Sequence, residues 1–211
     1  MKFSALGFGV SGAHGTPLVS ASETLALIEA AFAEGVRVFD TAPSYGAGEA
    51  ERRLGLALKT LDRSELVICT KAGLTSHGLA GRRRDLSPDG VETSVRASLD
   101  RLGVEGVDIL FLHGAAPHEL DAALLARLRA LKQAGAFRAL GAVGRGTALD
   151  WALDAGWFEV LMAPVHPFLD SAETAALDRA AQAGLPIMAI ETTGDSPPRL
   201  RAPRSLADRG P

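Results

Sequence analysis

The stretch Gly7-Phe8-Gly9-Val10-Ser11-Gly12 decides between two folds. It follows an apolar run, Phe3–Phe8, and spells G-x-G-x-x-G, with an acidic residue, Asp40, closing the next apolar run. Taken as a dinucleotide fingerprint, it would announce an open doubly wound sheet. That fingerprint works when its glycines open a helix, so that the helix N-terminus meets a pyrophosphate. Here His14, Gly15 and Pro17 intervene, and helical spacing begins near Ser22. Asp40 also lies 28 residues past Gly12, against a usual spacing of about 20. The stretch therefore reads as a glycine-rich loop at a strand end.

Working outward, short apolar runs alternate with amphipathic segments. The strand-like runs are Phe3–Phe8, Val36–Phe39, Leu66–Thr70, Val107–Leu112, Phe137–Val143, Phe158–Ala163 and Leu185–Ile190. They are rich in Val, Ile, Leu and Phe and do not alternate cleanly with polar residues, as expected of parallel strands covered on both faces. Helical patterns occupy 22–34, 48–60, 89–102, 119–134, 147–155 and 171–183. Ser87-Pro88 suits the start of the third, and Gly35, Gly103, Gly135, Gly156 and Gly184 each follow a helix, where a left-handed cap favours glycine. The order is β(αβ)₆. Right-handed crossovers allow an open sheet or a (β/α) TIM-type barrel. A complete barrel needs eight units. The spacing predicts an α/β barrel, incomplete, with seven parallel strands and no clear eighth unit, over residues 1–191. A Pro/Arg-rich tail, 192–211, follows. A missing strand leaves two open edges, which the tail or a second copy in a homodimer could cover.

In a barrel, functional residues collect at the C-terminal ends of strands. Asp40, Lys71 and His113 end the second, third and fourth runs, and Tyr45 follows in the loop Thr41-Ala42-Pro43-Ser44-Tyr45-Gly46. Each alone has a plain structural account: a turn cap, a solvated charge, a backbone-bonded imidazole, a loop aromatic. Together they place four titratable groups at one end of the sheet, and Tyr45 is the one tyrosine in the chain. A phenol with a pKa of about 10 is a poor acid at neutral pH. A nearby ammonium favours its phenolate, a carboxylate would hold that ammonium charged and in place, and an imidazole could orient a carbonyl.

Bulk properties narrow the class. The chain has 211 residues, 47% hydrophobic and 22% charged, with a net charge of -3. This is the balance of a globular domain and offers no general attraction to nucleic acid or an anionic membrane. One cysteine, Cys69, cannot form an internal disulfide. No apolar run approaches the ~18 residues of a membrane helix, and the N-terminus does not read as a signal peptide. A cytoplasmic location is expected.

With these residues in view, the sequence resembles the aldo-keto reductases. The matching stretches are Val38–Gly46, Thr70-Lys71, Leu86-Ser87-Pro88, Ser98–Gly103 and Val107–His113, within a likeness over roughly 3–190. The resemblance implies a catalytic tetrad of Asp40, Tyr45, Lys71 and His113. Tyr45 would be the general acid, tuned by Lys71 paired with Asp40, and His113 would orient the carbonyl. It implies NADP(H) as hydride source and a small carbonyl compound as substrate, with no metal.

The likeness fails where a nicotinamide would lie. The family's Ser-Asn aligns with Gly144 and Arg145, its Gln with Met162, and its Ser-Pro-Leu with a stretch near Glu191-Thr192-Thr193. Arg199, Arg201 and Arg204 do not match the family's phosphate-binding motif. Gly9, Val10, Gly144, Arg145, Met162 and His166 are expected to border the substrate or cofactor pocket. Three readings follow: an NADPH-dependent reductase with a remodelled cofactor site, a cofactor-independent isomerase, epimerase or lyase using the same tetrad, and a catalytically silent binding module. In the second, Arg145 could bind an anionic substrate; as a plain surface residue it would bind nothing. His14, His77, His118 and His166 show no metal-ligand spacing, Cys69 suits a small core residue, Trp151 and Trp157 suit core or interface, and Arg82–Arg84 read as a solvated loop run.

Overall fold

The computed structural model describes residues 3–76 and 81–192. His77, Thr193, the tail beyond it and its Arg199, Arg201 and Arg204 lie outside the described residues. Seven parallel strands form one sheet. They are β1 (Gly7–Gly9), β2 (Val38–Asp40), β3 (Val67–Ala72), β6 (Val107–His113), β7 (Phe137–Val143), β8 (Val160–Pro164) and β9 (Ile187–Ile190). Each pairs with its chain neighbour in that order, and among the described residues β1 and β9 do not pair with one another. The sheet curls into a half-barrel, as the alternating pattern led us to expect. Six helices join the strands: α1 (Ala21–Ala33), α2 (Glu49–Ala57), α3 (Pro88–Leu102), α4 (Ala122–Gln133), α5 (Thr147–Ala155) and α6 (Ser171–Gln182).

Local chemistry sets the helix ends. Ser20 and Glu23 form a reciprocal capping box on α1, and Asp170 and Glu173 do the same on α6. Ser87 caps α3 with Pro88 in its first turn, and Gly103 closes it in the left-handed region. The first strand begins later than the apolar run suggested. Phe3 and Leu6 are exposed, and pairing starts only at Gly7, opposite Val38.

One element escaped the sequence pattern. Leu74–Ser76 (β4) and Arg82–Arg84 (β5) form an antiparallel ribbon between β3 and α3. The expectation of a solvated loop run at Arg82–Arg84 is corrected to an exposed strand. A three-residue strand exposed throughout, as Arg82–Arg84 is, carries no apolar alternation, so hydrophobic periodicity cannot reveal it.

Strand alternation sorts the residues into two layers. Ile68, Leu110, Leu112 and Leu161 meet the helices in the larger core cluster. Val38, Val67, Cys69, Ile109, Phe111, Val160 and Met162 form a second cluster on the concave face. The same period of two carries Asp40, Lys71 and His113 onto that concave face, one step beyond its apolar filling.

Candidate active site

Asp40, Lys71 and His113 occupy or adjoin the C-terminal ends of β2, β3 and β6. Lys71 is the most confined, with a side chain only 2% exposed. Its Nζ donates to Asp40 Oδ1 at 2.8 Å, to Oδ2 at 2.7 Å and to the Thr41 carbonyl at 2.9 Å. Burial works against the Lys71 ammonium, but Asp40 and Tyr45 outweigh it and hold its pKa above the ordinary lysine range. Burial raises the Asp40 carboxyl, against the opposing pull of Lys71.

Tyr45 lies above this pair. Lys71 Nζ is 5.0 Å from the centroid of its ring. The His113 ring meets the Tyr45 ring edge-on, with centroids 6.5 Å apart at 80°. Burial first, then the charges of Lys71, Arg82 and Arg84, press the His113 pKa down to about 4. Its imidazole is therefore neutral at pH 7, one nitrogen a donor and the other an acceptor. His113 Nδ1 is buried without a hydrogen-bond partner among the described residues. The four residues singled out from the sequence thus come together in one place.

The loop under Tyr45 has an unusual backbone. Gly46, Ala47 and Gly48 all have positive φ, at 59°, 55° and 89°. A Cβ on Gly46 would stand 2.0 Å from the Gly15 carbonyl oxygen, and one on Gly48 would stand 2.6 Å from Arg101 Nε. Gly15, in the turn after β1, and Gly46 therefore pack backbone against backbone, so glycine at both positions is a steric requirement. Beneath, Glu51 is fully buried, taking Thr70 Oγ1 at 2.6 Å and Arg101 Nε at 2.7 Å. Arg53 donates to the carbonyls of His14 and Val19 at 2.6 and 2.7 Å. Glu51, Arg53 and Arg101 hold the loop, and sequence reasoning missed them. Their partners include groups 19 to 50 residues away in the chain, which no local pattern reveals.

The expected pocket residues divide. Val10 is buried, with its N–H donating to the Asp40 carbonyl at 2.8 Å and its own carbonyl accepting from Thr41 Oγ1 at 3.2 Å. With Gly9 it ties β1 to the tetrad end of β2. His14 turns to Thr24 Oγ1 at 3.3 Å, and burial and then Arg53 lower its pKa. His166 accepts from the Phe168 N–H at 3.2 Å within its own turn. Met162 is 1% exposed within the concave core. The Gly144 N–H donates to the Met162 carbonyl at 3.1 Å. Arg145 pairs with Glu173 at 3.3 Å and with Glu191. Arg145 is thus engaged by two carboxylates rather than standing free among the described residues.

Cys69 is fully buried, and Trp151 packs edge-on against Phe158 with centroids 5.6 Å apart. No group of three or more His, Cys, Asp or Glu among the described residues could hold a metal ion. No helix among them is long and apolar enough to cross a membrane. A cavity of about 870 Å³ opens at the opposite end of the sheet, lined by Arg63, Leu66, Gly106, Val107, Gly135 and Arg138. It lies at strand starts, away from the titratable cluster.

Comparison with known proteins gives this site a context. The family model described as "Aldo/keto reductase family" matches residues 5–196. A D-threo-aldose 1-dehydrogenase of Pseudomonas sp is 34% identical over 169 residues, covering 71% of this chain and 51% of that protein. An L-galactose dehydrogenase of Arabidopsis thaliana is 36% identical over 151 residues, covering 68% of this chain and 46% of that protein. The chain thus spans about half the length of these curated relatives. An aldo-keto reductase of Bacillus halodurans, solved in its holo form, superposes with a TM-score of 0.78. At 24% identity, over 89% of this chain and 61% of that one, it shows the shared fold alone.

A nicotinamide carboxamide needs hydrogen-bonding side chains around it. At three of the positions the resemblance assigns to that task, Gly144 has none, Met162 offers only a buried thioether and Arg145 is engaged by Glu173 and Glu191. Of these three, none offers a carboxamide an unengaged polar side chain.

Proposed function

The chain belongs to the aldo/keto reductase family, and from that premise we propose that Asp40, Tyr45, Lys71 and His113 form the proton-handling site of an oxidoreductase acting on a small carbonyl compound. The observation that carries the reading is Lys71, buried and bound by both oxygens of Asp40, directly beneath the Tyr45 ring.

Tyr45 is the proton donor to the substrate carbonyl oxygen. The Lys71 ammonium stabilises the phenolate left behind, and Asp40 keeps that ammonium charged and fixed. His113, neutral, donates a hydrogen bond to the same oxygen and sets its direction. Asp40 and Lys71 are positioning residues, because the proton passes at Tyr45. Since two relatives are named dehydrogenases of a D-threo-aldose and of L-galactose, sugars belong beside simple aldehydes in a substrate panel.

Gly144, Arg145 and Met162 favour a second reading, acid–base chemistry next to a carbonyl without a dinucleotide. Both readings share the proton step at oxygen and diverge at carbon. Titration with NADPH and NADP⁺, followed by turnover of small aldehydes and sugars, separates them. A Kd of about 1 μM or tighter with cofactor-dependent turnover supports the oxidoreductase. No binding at millimolar dinucleotide, with enolisation detected by deuterium uptake next to the carbonyl, supports the second. Undiminished activity in Tyr45→Phe would sink both.

A further inference from the structure

The β4–β5 ribbon rises directly from the strand that carries Lys71, with Ala72 ending β3 and Leu74 opening β4. Its first strand packs against the turn that begins at Tyr45. Its second is anchored beside His113, where Arg84 Nη2 donates to the Gly114 carbonyl at 2.5 Å and Arg84 Nε to Glu119 Oε1 at 2.7 Å. The ribbon therefore spans the mouth of the site from Tyr45 to His113.

Arg82 lies two residues before Arg84 on the same strand, opposite Ser76. Side chains two apart share a face, so Arg82 faces the way Arg84 does. Both charges reach His113 and help to hold its imidazole neutral. Their pairing differs. Arg84 has Glu119, and Arg83, on the other face, has Asp85 at 3.4 Å. Arg82 is exposed and has no hydrogen bond or ion pair within the described residues. Inside the site Lys71 is balanced by Asp40 and His113 carries no charge. Among the described residues, Arg82 is the arginine of this ribbon without a carboxylate partner.

We propose that Arg82 is a specificity-determining residue that binds the carboxylate of an anionic small carbonyl substrate while the carbonyl reaches Tyr45 and His113. A guanidinium presents paired N–H donors that match a carboxylate. The proposal rests on the carbonyl-directed reading of the tetrad and deepens it by naming the substrate's charge.

The test compares 4-carboxybenzaldehyde with benzaldehyde, binding measured by calorimetry on the whole chain without dinucleotide. The expected result is a preference for the carboxylated aldehyde of about fivefold or more, weakening as salt rises. Arg82→Ala should erase the preference, and Arg83→Ala, on the opposite face, should keep it. Equal affinities in the unaltered protein, or a preference that survives Arg82→Ala, overturn the proposal. So does an Arg82→Ala variant that loses NADPH affinity and keeps the preference, which would assign the guanidinium to a dinucleotide phosphate. A protein that shows the Arg82-dependent preference but reduces neither aldehyde leaves this proposal standing and removes the reductase reading. One that reduces both with equal affinity does the reverse.

Discussion

Lys71 Nζ is shared between the two carboxylate oxygens of Asp40, at 2.7 and 2.8 Å, across the β2–β3 pairing. Register places Asp40 opposite Cys69, so Lys71 is the next residue of β3 on the same face. Removing one partner would leave a buried ammonium without its counter-charge. Asp40→Asn should cost about 3 kcal/mol of stability in urea unfolding. It should also slow turnover by about 100-fold. A variant as stable as the parent would show that the pair is not an energetic unit.

Tyr45→Phe removes one oxygen and keeps the ring that packs against His113. The expected outcome is a rate lowered by about 100-fold or more. Stability should stay within about 1 kcal/mol, the worth of one hydrogen bond. Turnover on the best substrate, read beside a thermal melt, distinguishes a chemical loss from a folding one.

The loop that presents Tyr45 depends on two backbones in contact. Gly46→Ala would set a methyl 2.0 Å from the Gly15 carbonyl oxygen, at a φ of +59°. The strain should cost about 1–3 kcal/mol. The loop must also shift and carry Tyr45 from the Lys71–Asp40 pair, so activity should fall more than the melting temperature alone explains. Equal activity at a temperature where both proteins are folded would contradict this.

His113 makes stability pH-dependent with a definite sign. Its folded pKa, about 4, lies below the ordinary 6.5. Above pH 6.5 both states hold a neutral imidazole and nothing is lost. As pH falls from 6.5 towards 4 the unfolded chain takes up the proton first, so stability drops, and the loss levels off below 4. After allowance for partial exposure the loss is on the order of 2 kcal/mol. Unfolding free energies at pH 7, 5.5 and 4.5 should fall more steeply for the native chain than for His113→Asn by that amount. Parallel curves would show that His113 titrates normally.

Much of the fold was legible because its cause is local. Apolar runs of strand length, caps such as Ser20, Ser87 and Asp170, and glycines after helices mark the elements through contacts within a few residues. Strand parity does the same for the site. Asp40, Lys71 and His113 each follow an apolar run by a step of one or two, which suffices to put them at one end and on one face. The β4–β5 ribbon left no such trace, since three consecutive arginines on an exposed strand obey no burial pattern.

The sequence by itself determined the order of the seven sheet strands and six helices, and the four residues that gather at one end of the sheet. Tertiary structure alone decided what those groups touch. It bound Arg145 to Glu173 and Glu191, 28 and 46 residues distant in sequence, and among the described residues gave Arg82 no carboxylate partner. It also pressed Gly15 against Gly46, and paired buried Glu51 with partly exposed Arg101 beneath the tyrosine loop. The reason is physical: caps and alternation act over a few residues, whereas ion pairing and desolvation depend on neighbours that only the folded chain brings together.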